Sequence, residues 1–586
     1  MTGIDDLGAD SGTLASLAAI LARRAAVHGD RQAFAFIPER GDRRPTLTFA
    51  ELDLRARALA ERLLEHAAPG DCAILLFPPG LDCVLALFAC FAARIVAVPL
   101  MPPRRAGGRD SSAAVVADCT PSLLLTNRDL AAARPDAIER FGGAIRCVMV
   151  DASADAAPVA VLPEPNRADL ALLQYTSGST SSPKGVMVSH GAMLENLEMV
   201  RFEMGNSSRS TCVNWVPLYH DMGLMMGATQ PVYIGALSVL MPPAGFMMRP
   251  LAWLRAISEY RAEVSSAPNF AFDLCVARHR AEQMAGVDLS CWKVAMNAAE
   301  PVHADTIASF AETFAPYGFD PAAMYPAYGL AEATLLVTAG KRSGGVLTRQ
   351  VSRSWLHRGE ARSPESEDDA RKIVACGRAM VGQRVAIADP ATLRPVPAGT
   401  VGEILAHGTN VADGYWRNPA VTEAVFGARL LGADDGATWL RTGDLGCLDD
   451  TGALFVAGRI KDLIVIRGVN HYPQDIERTV QNAHPALRPD GGAAFAIEDE
   501  HGIEKLAIVH EIDRTHRRDL DPTAVEAAIR TAVAAEHDLA VHDIALIAPA
   551  TLPTTTSGKV QRGLIRQLWS EGRLERIDGR APRNAV

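Results

Sequence analysis

Short apolar runs at 73–77, 95–98 and 122–125 alternate with longer helical patterns, and this alternation limits the fold more than any other feature of the chain. The runs are strand-length and read as buried strands. Helical patterns at 16–27 and 48–67, and an apolar run beginning at Cys83, separate them. Strands divided by helices predict α/β layers with parallel sheets, and the pattern continues to about residue 340. A chain of 586 residues exceeds one ordinary core, so at least two domains are expected. The texture changes after residue 340. Residues 341–369 are charged and rich in Ser and Arg, with little apolar periodicity, as in an exposed insertion or long loop. Short strands at 384–387, 402–406 and 454–457 then suggest a small β-rich subdomain over about 375–460. The expected division is a large layered N-terminal domain over 1–460 and a small, lid-like α+β domain over 461–586.

Composition removes several function classes. Hydrophobic residues make up 48% of the chain and charged residues 22%, enough to bury a large core and still line an apolar pocket. The formal charge is −10 and no Lys/Arg block occurs, which excludes a nucleic-acid partner. Ten cysteines are scattered without a CxxC pair, so neither a zinc site nor a disulfide framework is indicated, and a reducing cytoplasm is expected. The first eleven residues are acidic and polar, unlike a signal peptide. The longest apolar stretch, 83–93, is broken by Arg94 and resumes with Pro99 inside it, so no transmembrane segment is expected.

One segment carries most of the chemistry: Leu173-Gln-Tyr-Thr-Ser-Gly-Ser-Thr-Ser-Ser-Pro-Lys-Gly-Val-Met-Val-Ser-His190. A strand enters a loop of hydroxyls and glycines and a second strand leaves it. Small residues let backbone N–H groups approach phosphate oxygens, and Lys184 adds positive charge. The Walker spacing is absent and the exit is extended, which excludes a P-loop kinase. Gly/Ser/Thr clusters are commonly plain surface loops, but one lodged between two hydrophobic strands reads as functional. Downstream stand Trp215-Val-Pro-Leu-Tyr-His-Asp-Met-Gly-Leu224, Asn297-Ala-Ala-Glu-Pro-Val302 and Tyr325-Pro-Ala-Tyr-Gly-Leu-Ala-Glu-Ala-Thr334, the last with a carboxylate read as opening a helix. Trp439-Leu-Arg-Thr-Gly-Asp-Leu445, Gly458-Arg-Ile-Lys-Asp-Leu-Ile464, Arg467-Gly-Val-Asn-His-Tyr-Pro-Gln-Asp-Ile-Glu477 and Leu552-Pro-Thr-Thr-Thr-Ser-Gly-Lys-Val-Gln-Arg562 complete the set.

In this order the strings resemble the adenylate-forming superfamily of acyl-CoA synthetases, peptide synthetase adenylation domains and luciferases, from roughly residue 15 to 570. Within it the chain is most similar to the fatty acyl-AMP ligases. The resemblance implies that ATP and a medium- or long-chain fatty acid form an acyl-adenylate and pyrophosphate, and that the acyl group passes to the phosphopantetheine thiol of a separate acyl carrier protein. Thr176, Ser177, Gly178, Ser179, Thr180 and Lys184 are then expected on the ATP phosphates, and Tyr328 and Gly329 at the adenine, with Ala299, Glu300 and Pro301 on its other face. Glu332 is expected to bind Mg2+, Asp444 the ribose hydroxyls, and Arg459 to assist from the domain junction. Lys461 matches the hinge and Lys559 the catalytic lysine. A mobile ammonium suits that step, because a carboxylate attacking an α-phosphate brings two anions together. His220 is either a gate for the substrate carboxylate or half of a structural pair with Asp221. Met222, Leu224, Met225, Met226 and Gly227 are either the acyl-pocket wall or core packing. Residues 341–369 fall where fatty acyl-AMP ligases carry an insertion associated with poor CoA use. Ala298 departs from the family, which usually has Gly there, and Thr554 replaces a frequent Lys.

The alternatives are an acyl-CoA synthetase, which differs in the accepting thiol, and a non-catalytic acyl-binding protein. Intact Lys184, Glu332, Asp444 and Lys559 argue against the second. Gly107-Gly-Arg-Asp-Ser111 looks like a phosphopantetheine attachment site but lacks a carrier-sized helical bundle. Arg514-Thr-His-Arg-Arg518 is either a carrier-docking patch or a solvated face.

Overall fold

The computed structural model describes residues 14–102, 112–142, 145–157, 161–176, 183–432, 436–467, 469–498, 503–555 and 559–577. The first helix, Leu17–His28, begins where the Ser16 hydroxyl accepts the Ala19 N–H. The second, Phe49–Leu64, begins at a reciprocal Thr48/Glu51 capping box that satisfies two otherwise orphaned N–H groups. The N-terminal region contains two large sheets. A six-stranded sheet centres on Cys72–Leu76, which pairs in parallel with Val96–Leu100 and Leu123–Thr126. Pro99 sits inside Val96–Leu100 and lacks an N–H, yet it is tolerated. The neighbouring strand Leu170–Thr176 meets Val96–Leu100 in register only at Ala97↔Leu172.

The larger sheet has nine strands. Its middle, Leu237–Leu240, Thr211–Asn214, Val264–Ala267, Val294–Asn297 and Met324–Gly329, is parallel throughout, as the helix–strand alternation predicts. Against it packs an aromatic nest around Trp253, which is fully buried. Its ring lies 5.2 Å from Trp292, 5.6 Å from Phe272 and 5.7 Å from Phe246, and its N–H donates to Ser265 Oγ at 2.8 Å.

Beyond residue 340 the expected exposed insertion takes an ordered form. The charged segment is not a structureless loop. Thr348–Ser352 and Ala370–Val374 pair antiparallel, and the short helix Arg353–Leu356 lies between them. Hydrogen bonding replaces the missing apolar periodicity, because the Asp369 carboxylate accepts from the Ser352 and Ser354 hydroxyls and from the Ser354 N–H. A four-stranded antiparallel sheet follows: Arg384–Ala388, Gly402–His407, Leu440–Leu448 and Leu454–Arg459. Arg378–Ala379 instead closes the edge of the nine-stranded sheet.

From Ile464 onward the chain builds apolar clusters from its own residues. Leu487–Glu498, Glu504–Ile512 and Val541–Ile547 form a three-stranded sheet. Ile476, Ile508, Ile529 and Leu546 pack on one side, and Phe495, Ile565 and Trp569 on the other. Separate cores are what allow one part of a chain to move as a unit against another.

Candidate active site

Leu170–Thr176 and Lys184–Ser189 form an antiparallel pair around the hydroxyl-rich loop, so Lys184 stands opposite Thr176. Ser177, Gly178, Ser179 and Thr180 lie outside the described residues. The exit strand is braced by a segment that sequence reading missed. Met187 N–H donates to Gly414 O, Asp413 N–H to Met187 O, and Trp416 N–H to Gly185 O. This places Tyr415 between two expected site residues: its ring lies 5.0 Å from the Lys184 ammonium and its hydroxyl donates to Glu332 Oε1 at 2.7 Å. The string Gly414-Tyr415-Trp416-Arg417-Asn418-Pro419 was the available signal, with a glycine and a proline bracketing aromatics.

Glu332 opens no full helix. It sits in a single turn, Ala331–Ala333, ended by Thr334 at φ 66°. The chain turns tightly there, and a Cβ on Gly329 would lie 1.8 Å from Leu335 O, so glycine is required. Burial pushes the Glu332 carboxyl upward against the lowering hydrogen bond from Tyr415. A partly buried carboxylate of this kind is a fitting single protein ligand for a cation whose other ligands are phosphate oxygens.

On the next strands Asp444 stands directly opposite Arg459, whose Nε lies 3.2 Å from Asp444 Oδ1. Tyr328 donates its hydroxyl to Asp444 Oδ2 at 2.8 Å. Burial and the Asp444 charge raise the Tyr328 phenol well above its usual pKa, so it remains a donor. Asp444 keeps lone pairs free for further donors, because each carboxylate oxygen accepts more than one bond. Ala299 adopts φ 72°, uncommon for a residue with a side chain, and Pro301 after it is exposed. Between them Glu300 accepts the Phe270 N–H, and burial raises its pKa to about 7.

Lys559 is the residue that joins these groups. Thr555 N–H donates to Lys559 O at 2.7 Å and Lys559 N–H to Thr555 Oγ1 at 3.0 Å, which ties the lysine backbone to Thr555. The charges of Arg459, Asp221, Asp444 and Glu300 act on its ammonium. Burial and then Arg459 lower its pKa, while the three carboxylates oppose them. Asp221 is held at about 2: burial would raise it, but His220 and Lys559 overcome that. His220 Nδ1 lies 2.7 Å from Asp221 Oδ1, while the Met222 N–H reaches Asp221 at 2.6 Å and His220 Nδ1 at 3.2 Å. The shorter bond assigns the Met222 N–H to Asp221, leaving His220 Nδ1–H to donate to the same carboxylate and Nε2 to face other partners.

Met222, Leu224, Met225, Met226 and Gly227 are buried in the main core. None of them lines the apolar cavity found beside them. That cavity lies at the carboxyl ends of parallel strands from both sheets, with Phe36, Leu75, Phe77, Leu100, Val216 and Met241 among its walls. Tyr219, next to His220, is on its rim, and its carbonyl is held by Gln174 Nε2 at 3.0 Å. Gly227 lies directly behind one wall, where an added Cβ would sit 2.3 Å from Asn214 Nδ2. Carboxyl ends of parallel strands are the usual ligand position in open α/β sheets. Lys461 lies exposed in the turn Ile460–Asp462. The following Asp462 is bonded by Arg562, which also grips Glu477 through Nε and Nη2.

A family model described as AMP-binding enzyme matches residues 21–416. The chain belongs to the AMP-binding enzymes. A second model, the AMP domain of Disco-interacting protein 2-like proteins, matches residues 461–578. The medium-chain-fatty-acid–[acyl-carrier-protein] ligase JamA of Moorena producens is 41% identical, with 96% of each chain covered. The putative fatty-acid–CoA ligase fadD25 of Mycobacterium tuberculosis is 36% identical over 96% of this chain and 99% of its own. A solved fatty acyl-adenylate ligase from Legionella pneumophila, in complex with acyl adenylate and pyrophosphate, superposes with a TM-score of 0.73. It is 36% identical, covering 96% of this chain and 97% of that one.

Proposed function

We propose that this AMP-binding enzyme joins a medium- or long-chain fatty acid to ATP as the acyl-adenylate and passes the acyl group to the thiol of a separate acyl carrier protein. The convergence of Lys559 with Asp221, Glu300, Asp444 and Arg459 carries this reading. A binding protein has no use for an ammonium brought from another core into a cluster of carboxylates. In the first step a carboxylate oxygen of the fatty acid attacks the α-phosphorus and pyrophosphate leaves with the bonding pair. Lys559 neutralises the charge that gathers between the two anions. Thr176, Lys184 and the loop between them hold the phosphates, Asp444 accepts from the ribose, and Tyr328 and Gly329 face the adenine, opposite Ala299, Glu300 and Pro301. Mg2+, held by Glu332 and the phosphates, would supply further charge neutralisation.

His220, with Nδ1–H fixed on Asp221, presents Nε2 toward the acid. Tyr219 beside it opens onto the apolar cavity, which supports a hydrocarbon chain on that acid. The run from Met222 to Gly227 backs the cavity wall at Asn214. In the second step the carrier thiol adds to the acyl carbonyl, its proton is lost, and AMP departs. The exposed position of Lys461 in Ile460–Asp462 supports a pivot there between residues 1–460 and 461–586. No helix among the described residues is long and apolar enough to cross a membrane. Ten unbridged cysteines support a cytoplasmic location.

The test is product identification by mass spectrometry after incubation with Mg-ATP, mixed fatty acids and CoA. Acyl-AMP accumulating with CoA untouched is the expected result, and the acid consumed identifies the chain length. Acyl-CoA as main product would move the enzyme to the synthetase class, the activity named for the fadD25 relative.

A further inference from the structure

The surface that holds the Lys559-bearing part against the rest of the molecule is unusual in its side chains. From the insertion hairpin come Arg353, His357 at the end of the short helix, and Arg371. They meet His471, Asp475 and Thr479, together with Glu536 and His537 at the end of the helix Pro522–His537. Arg353 Nη1 donates to Glu536 Oε2 at 2.7 Å and to its carbonyl at 3.1 Å, and Arg371 bonds Asp475. The Asn470 N–H donates to His357 O at 3.2 Å. The His357 and His471 rings are 4.8 Å apart, and His537 Nε2 lies 2.8 Å from Thr479 Oγ1. His471 and His537 are buried and His357 half-buried.

Two imidazoles, His357 and His471, are thus packed across the junction, and His537 adjoins Glu536, the partner of Arg353, while both guanidiniums are already committed to carboxylates. We propose that His357, His471 and His537 are positioning residues that keep Lys559 in the site only while they are neutral, so that protonating them releases the lid and withdraws the lysine. This rests on the function proposed above for Lys559.

The charges facing each ring give the direction. Burial lowers His357 to about 3, helped by His471, His537, Arg371 and Arg353. Burial lowers His537 to about 4, with Arg353, His471 and Arg371 acting the same way and Glu536 opposing. Burial lowers His471 too, against Asp538. Nearby, burial, Arg478 and Arg371 take His303 to about 4 against Asp305, the partner of Arg478 across the same junction. Freed from the interface, each imidazole returns to about 6.5. A depressed pKa in the docked state means that docking is complete above about 6.5 and is lost as pH falls toward 4. Each histidine weakens docking by roughly tenfold per pH unit within that window.

Small-angle X-ray scattering between pH 7.5 and 5.5 reads docking without reference to activity, and fatty-acid-dependent pyrophosphate exchange reads adenylation. The wild-type protein is expected to expand on acidification, with exchange falling more than tenfold per pH unit. The triple variant H357N/H471N/H537Q is expected to stay compact at pH 5.5 and to lose exchange less steeply. A wild-type protein still compact at pH 5.5, or a triple variant expanding at the same pH as wild type, overturns the proposal. If the triple variant does not fold, the single variant H357N, on a half-exposed position, is expected to lower the pH of expansion, and an unchanged midpoint overturns the proposal. Acid expansion in a protein with no exchange at any pH would defeat the assigned reaction while leaving the histidine latch standing.

Discussion

The aromatic nest under the nine-stranded sheet and the junction with the Lys559-bearing part are assembled from opposite kinds of contact. Around Trp253 the rings of Phe246, Phe272 and Trp292 meet it edge to face, and the two indole N–H groups have their partners in Ser265 Oγ and Val294 O. Across the junction run Arg353–Glu536, Arg371–Asp475 and Arg478–Asp305, with histidines filling the space between. Apolar burial grows with area and is lost only by unfolding. Exposed charged pairs such as Arg478–Asp305 can separate into water at little cost, because water solvates each partner. One region is therefore fixed and the other more readily detached, as the proposed delivery and withdrawal of Lys559 requires.

That contrast can be broken at several points. Trp253→Ala should cost about 3–5 kcal/mol of stability by leaving a large cavity, measured by chemical denaturation. A loss under 1 kcal/mol, on that scale, would mean that the nest is not the rigid partner. Lys559→Ala should lower adenylation about 100- to 1,000-fold, the usual effect of removing one group that stabilises developing charge. ATP affinity, read by calorimetry, should change little, and near wild-type adenylation would remove Lys559 from the mechanism. Smallest of all, Arg478→Ala should alter stability by about 1 kcal/mol or less, because the pair is largely solvated. A larger loss of stability would make the junction a fixed interface.

Legibility followed the range of the contacts. The helix expected over 48–67 and the strand–loop–strand around Lys184 are each continuous in the chain, so both were readable. The hairpin inside the insertion was not legible because its order comes from Asp369 reaching back to Ser352 and Ser354, which leaves no apolar rhythm. Tyr415 was missed because its role is to touch Glu332, 83 residues away. The run from Met222 to Gly227 has the composition of a pocket wall, but whether such residues face a cavity or a core depends on the sheet behind them.

By itself the sequence determined the layered parallel architecture, which rests on period and spacing that neighbouring residues carry among themselves. The candidate site residues in continuous strings, and the lysine near the end of the chain, were implied by the resemblance to the fatty acyl-AMP ligases. Tertiary structure decided that Lys559 stands among Asp221, Glu300 and Asp444, that Tyr328 and Arg459 share Asp444, and that three histidines from separate elements meet at one junction. Burial and the summed field of distant charges set those relations, and neither exists until the chain has folded.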